Sequence, residues 1–283
     1  MDAAPAPGNS NGPADAHFDA GGIRLHYVDW GNAEARPMVL LHGLQDCARS
    51  WDFFARSMAP DFHIVALDHR GHGDSEWASQ DRYRLRDYGA DVEALMDHLG
   101  LDDVVLVGHS AGGRNAWMYT VGHPDRVSSL VIVDIEPDAE NPESNVMFER
   151  YHAEPDEWES TEAIVERLRG RQPESTEEML RHQAAHMTNS LPGGVRVWKR
   201  DRKLLEAYER PDLWEEWSRI MCPTLIVRGR QSELLTHAVA VKMREAIRSV
   251  RLVELDGGGH WFYQEFPGAF ETTVRWFLQR PPG

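Results

Sequence analysis

Two periodicities alternate along this chain. Short runs rich in branched aliphatic residues read as strands: Ile23–Asp29, Met38–Leu41, Ile64–Leu67, Val104–Val107, Ser129–Asp134, Thr224–Val227 and Val250–Leu255. Between them lie longer segments whose apolar residues recur at helical spacing. In Leu85–Leu99 these are Tyr88, Val92, Leu95, Met96 and Leu99; Ala111–Val121, Thr236–Ser249 and Pro267–Leu278 are further predicted helices. Strands alternating with helices predict an α/β fold with a mostly parallel, doubly wound sheet covered on both faces.

The alternation breaks between Pro137 and Met221. That stretch shows no strand pattern, is dense in Glu and Arg, and carries Trp158, Trp198, Trp214 and Trp217. Helices are predicted over Ser160–Arg169 and Ser175–Met187, the second opened by a capping box of Ser175 with Glu178 three residues on. The expected organisation is a disordered tail over residues 1–16, a core from 17–136 and 221–283, and an inserted helical cap over 137–220. The tail has neither the basic start nor the apolar stretch of a signal peptide.

Composition narrows the partners. The 283 residues suffice for one α/β domain with an insertion, and the net charge of −16 disfavours nucleic acid and anionic membranes. No apolar run approaches the roughly 18–20 residues of a membrane span. Cys47 and Cys222 lie far apart and suit free thiols in a reducing compartment, so the cytoplasm is the expected location. A small-molecule substrate is the expected partner; nothing in the chain sets its oligomeric state.

The candidate chemistry starts at Gly108-His109-Ser110-Ala111-Gly112, which follows a strand and precedes a helix. This is the G-x-S-x-G elbow, whose serine sits on a strained turn and whose glycines let strand and helix approach. Acyl transfer through a serine creates an oxyanion that needs fixed backbone N–H donors. The amide of Ala111 is one candidate, and that of Leu44, after the strand-ending His42-Gly43, is the second. His260 follows the glycine run 257–259 at a strand end, where it can reach the serine as general base.

These motifs, with Asp68-His69-Arg70-Gly71-His72-Gly73-Asp74-Ser75, Val131–Pro137 and Val227–Leu235, resemble the α/β-hydrolase fold superfamily from about Phe18 to Leu278. Within it the chain is similar to the serine-nucleophile branch of small, soluble bacterial-type hydrolases. The resemblance implies that Asp68 and Arg70 brace a loop, and a serine in the elbow argues against the aspartate-based chemistry of the haloalkane dehalogenases and epoxide hydrolases of this fold. In much of the family the third catalytic residue lies three positions beyond the glycine after Thr224–Val227. That position is Ser232, which is no carboxylate. Two acids remain: Asp134, at the end of the preceding strand and favoured because it needs no shift of register, and Glu233, one residue past the usual place.

The expected function is hydrolysis of a small, fairly apolar carboxylic ester, lactone or reactive amide through an acyl-enzyme, with no cofactor and no metal. The rivals are carbon–carbon bond hydrolysis or perhydrolysis on the same fold, and a non-catalytic ligand-binding protein. Arg150 and Arg171 in the cap are candidate clamps for a substrate carboxylate, and Trp261 is the aromatic expected to line the pocket. His109 is expected to pack beside the serine without chemistry. His182 and His186 have metal-compatible spacing, but the sequence offers no third ligand beside them.

Overall fold

The computed structural model describes residues 12–282. Along the first half run β1 (Ala14–Asp19), β2 (Arg24–Asp29), β3 (Arg36–Leu41), α1 (Asp52–Met58), β4 (Phe62–Leu67), α2 (Leu85–Leu99), β5 (Val104–His109), α3 (Ala111–Gly122) and β6 (Val127–Val133). The inserted segment holds α4 (Pro142–Ala153), β7 (Glu157–Trp158), α5 (Thr161–Arg171), α6 (Glu177–Met187), β8 (Thr188–Ser190), β9 (Arg196–Trp198), α7 (Lys203–Ala207) and α8 (Trp214–Ser218). The chain closes with β10 (Thr224–Gly229), α9 (His237–Ala246), β11 (Val250–Leu255), α10 (Phe262–Glu265) and α11 (Pro267–Gln279).

Successive residues of a strand face opposite sides, so a strand buried on both sides must be apolar throughout. In β5, Val104 and Leu106 join the apolar layer beneath α2 and α3, while Val105 and Val107 join the layer beneath α1 and α11. The strands order as β1-β2-β4-β3-β5-β6-β10-β11, with β2 antiparallel to both its neighbours, β1 and β4, and the remaining pairs parallel. The chain leaves β3 toward one edge through β4 and returns to its other side through β5. The sheet therefore has its switch point between β3 and β5, where doubly wound sheets open a crevice at the carboxyl ends of their strands. Leu44 and Ser110 stand just past those two ends.

Four expectations are corrected, three of them local. Residues 1–11 of the expected tail lie outside the described residues, but Ala14, Asp15 and Ala16 pair with Asp29, Val28 and Tyr27 in β1. The insertion was expected to hold only helices, yet β7, β9 and β8 form a small antiparallel sheet. The start of α6 is capped by Thr176, whose hydroxyl accepts from the Met179 amide; Ser175 Oγ instead accepts from Gln172 Nε2 at 2.9 Å. Ser160 does cap α5, accepting from the Ala163 amide.

The insertion carries its own apolar cluster, with Ile164, Val165, Leu168, Leu180, Ala184, Met187 and Trp198. Its last helix differs. In and around α8, Leu213, Trp217 and Ile220 are buried in the layer of the main sheet, and Trp217 Nε1 donates to the Met243 carbonyl. By packing, then, α8 belongs with the core although 137–220 was expected to lie in the cap. Among the described residues no helix is long and apolar enough to cross a membrane.

Candidate active site

The turn after β5 is strained by construction. Ser110 has φ 52° and ψ −125°, outside the regions an L-residue prefers, a distortion that costs about 1–3 kcal/mol. The glycines make it possible. A Cβ on Gly108 would lie 2.3 Å from the Gly112 carbonyl oxygen, and one on Gly112 would lie 2.4 Å from the Leu41 oxygen. Gln45, beside Leu44, and Asp134 also have positive φ, at 58° and 51°. Three of the five such non-glycine residues among those described thus cluster here.

Ala111 opens α3, so its amide is one of the unpaired N–H groups of a helix start. Leu44, Ser110 and Ala111 line one small cavity of about 20 Å³. A Cβ on Gly43 would come within 3.0 Å of Ser110 Cβ, which shows how closely the loop after β3 packs on the serine.

His260 is buried past the end of β11, and its Nδ1 lies 2.7 Å from Asp134 Oδ2. With the carboxylate accepting, Nδ1 carries the hydrogen and Nε2 is left bare. Asp134 Oδ2 also accepts from Ser232 Oγ at 2.5 Å. Ser232, which stands after β10, therefore meets the carboxylate that the end of β6 supplies. Glu233 is exposed and makes no hydrogen bond to His260 among the described residues. Burial pushes the Asp134 carboxyl up, opposed by the Ser232 hydroxyl and Arg228. Burial, then the positive charge of Arg171, drive the His260 imidazole down to about 3, so it rests neutral.

His109 packs beside the histidine, its ring centroid 4.5 Å from that of His260. Its Nε2–H donates to the His260 carbonyl at 3.0 Å, which fixes the backbone on which the imidazole stands. Ser110 Oγ makes no hydrogen bond among the described residues. Serine and histidine line adjoining cavities whose shared wall includes Met147 and Leu234.

The cavity on the histidine side has a volume of about 340 Å³. Arg150, Arg171 and Trp261 all line it, with Arg167 as a third guanidinium. Arg167 is paired with Glu154. Arg171 instead stacks over the Trp261 ring at 4.9 Å and donates to Gln172 Oε1 at 3.0 Å; neither it nor the exposed Arg150 has a carboxylate partner among the described residues. The sequence did not announce the rest of this arrangement. Gln172 Nε2 donates to Gln183 Oε1 at 2.8 Å, Gln183 Nε2 to Gln264 Oε1 at 2.6 Å, and Gln264 Nε2 to Asp46 Oδ2 at 2.9 Å. The chain of amides runs from Arg171 to the loop after β3 through residues that no local motif connects.

The model for the alpha/beta hydrolase fold matches residues 36–267. The chain is 27% identical to 2-(acetamidomethylene)succinate hydrolase of Mesorhizobium japonicum, over 93% of this chain and 95% of that protein. It is 25% identical to epoxide hydrolase A of Mycobacterium tuberculosis, over 94% and 97%. The crystal structure of E-2-(acetamidomethylene)succinate hydrolase superposes with a TM-score of 0.88 at 26% identity, over 94% of this chain and 99% of that one.

Proposed function

The chain belongs to the α/β-hydrolase fold family, and its Mesorhizobium japonicum and Mycobacterium tuberculosis relatives are hydrolases by name; from that premise we propose that it is a serine hydrolase working through an acyl-enzyme. Ser110 Oγ attacks a carbonyl carbon while His260 Nε2 takes its proton. Asp134 holds the imidazole by Nδ1–H and stabilises the imidazolium without taking the proton. The amides of Ala111 and Leu44 donate hydrogen bonds to the oxyanion. The imidazolium protonates the leaving group, and a water deprotonated by His260 then releases the acid. The observation that carries this reading is the 2.7 Å contact of His260 with Asp134 beside a serine held at φ 52°. A serine at position 110 speaks against the aspartate-based attack of epoxide hydrolases.

The substrate we infer is a small ester, lactone or amide that bears a carboxylate. A fairly apolar acyl group suits the cavity less well, because Arg150 and Arg171 line it without carboxylate partners and Trp261 backs Arg171. A guanidinium binds a carboxylate in bidentate fashion. The Mesorhizobium japonicum relative, by its name, acts on a succinate carrying an acetamido group. The segment 137–220, in this reading, caps the site and excludes water.

A fluorophosphonate probe tests the mechanism, and matched acyl substrates with and without a carboxylate test the specificity. Wild type should label and turn over the carboxylated member faster, and Ser110→Ala should lose both. Folded wild type that fails to label would overturn the serine mechanism; equal rates on both substrates would overturn the carboxylate reading alone.

A further inference from the structure

Away from this cavity, α6 of the insertion meets α1 of the core. His182 and His186 lie one turn apart on α6, so their imidazoles leave the same face, with ring centroids 4.5 Å apart. Asp52 opens α1 opposite them. His182 Nε2 lies 3.1 Å from Asp52 Oδ2 and 3.1 Å from the Arg49 carbonyl oxygen, a hydrogen bond that an ion would replace, and one ligand atom from each of the three residues lies within 4.8 Å of the others. The third ligand that the sequence did not offer comes from 130 positions upstream of His182.

Two features of the cluster exceed what an ordinary ion pair needs. The Asp52 carboxylate is 3% exposed, and its Oδ1 has no hydrogen-bond partner. His186 also makes no hydrogen bond among the described residues. Arg49 is the opposing cation. Its Nη1 lies 3.3 Å from Asp52 Oδ2 and its Nη2 2.5 Å from Asp15 Oδ2, so two carboxylates outweigh its charge.

We propose that Asp52, His182 and His186 form a site for a divalent transition-metal ion of the Zn²⁺ or Ni²⁺ type, which clips the cap helix α6 to the core helix α1. Two imidazoles and one carboxylate suit such ions, with water in the remaining position. Ligand atoms around a tetrahedral ion stand roughly 3.4 Å apart, a spacing the His182–Asp52 pair already has and that a turn of the half-buried His186 side chain completes. None of the three lines the His260 cavity, so the ion acts on the attachment of the cap and takes no part in the acyl transfer.

Titration of chelator-stripped full-length protein with Zn²⁺, followed by calorimetry and by thermal unfolding, tests the site. Wild type should bind one equivalent and gain Tm, and Co²⁺ in its place should give the visible absorption of tetrahedral coordination. His186→Ala should weaken binding at least about tenfold and abolish both the gain in Tm and the cobalt spectrum. His186→Gln, with the fold checked by circular dichroism, guards against a packing effect of the truncation. Absence of stoichiometric binding to wild type, or binding of unchanged affinity in either variant, would overturn the proposal.

Discussion

His260 is held neutral by its surroundings, and that sets how its neighbours act. If Asp134 orients it, Asp134→Asn should leave the protein folded and lower kcat by about 10³–10⁴-fold, as loss of the correct imidazole tautomer does. Glu233→Gln, at an exposed side chain, should change kcat less than about twofold. The same assays on purified variants separate the two. Arg171 acts on the histidine through charge: its guanidinium disfavours the imidazolium and so lowers the His260 pKa. Arg171→Gln removes that repulsion, raises the pKa, and should move the acid limb of the kcat/KM profile to higher pH; a limb that stays put would dissociate Arg171 from the base. Ser110 and His260 were legible in the sequence because each sits in a local motif of glycines at a strand end. Asp134 was legible only as one of two acids, because the choice depends on which carboxylate the fold brings to His260 across more than a hundred residues. The Gln172, Gln183, Gln264 and Asp46 chain had no sequence signal at all, since amides declare their partners only in three dimensions.

At the scale of elements, continuous apolar runs gave away the strands of the parallel sheet, and α2 was predicted with its observed ends, Leu85 and Leu99. β1 escaped because Phe18 is its only buried residue, so Ala14–Asp19 reads like polar tail. The strands of the insertion escaped because two or three residues cannot display a period. The start of α6 shows how finely a cap is placed: adjacent Ser175 and Thr176 both suit the position, and only Thr176 reaches the Met179 amide. Thr176→Ala should therefore cost about 1 kcal/mol in denaturant unfolding, the usual worth of an N-cap hydroxyl. The elbow tolerates less. Gly112→Ala drives a methyl group into the Leu41 and His42 carbonyls, so it should abolish probe labelling and lower Tm even though alanine favours helices.

Across the whole molecule, buried histidines govern the response to acid. Burial first, and neighbouring positive charge or imidazoles second, depress the pKa of His69, His72, His109 and His260, with His72 and His260 at about 3. Below about 6.5, the pKa of an unfolded histidine, the unfolded chain binds protons that these sites in the folded chain refuse. Their contribution is therefore complete above that pH and is lost progressively from about 6.5 down toward 3. Calorimetric Tm should fall steadily over this window, and a flat Tm would mean that the histidines are exposed or already charged. The placement of Asp134 has a separate consequence for how this protein can change. In the proposed mechanism the catalytic carboxylate grows from the end of β6, so the turn after β10 contributes only the Ser232 hydroxyl bonded to it, and the neighbouring positions carry no catalytic role. A randomised library over Gln231 and Glu233, both on the cavity wall, could then diversify substrate choice in an active scaffold, where the same mutagenesis in a relative with its acid on that turn would mostly yield dead variants.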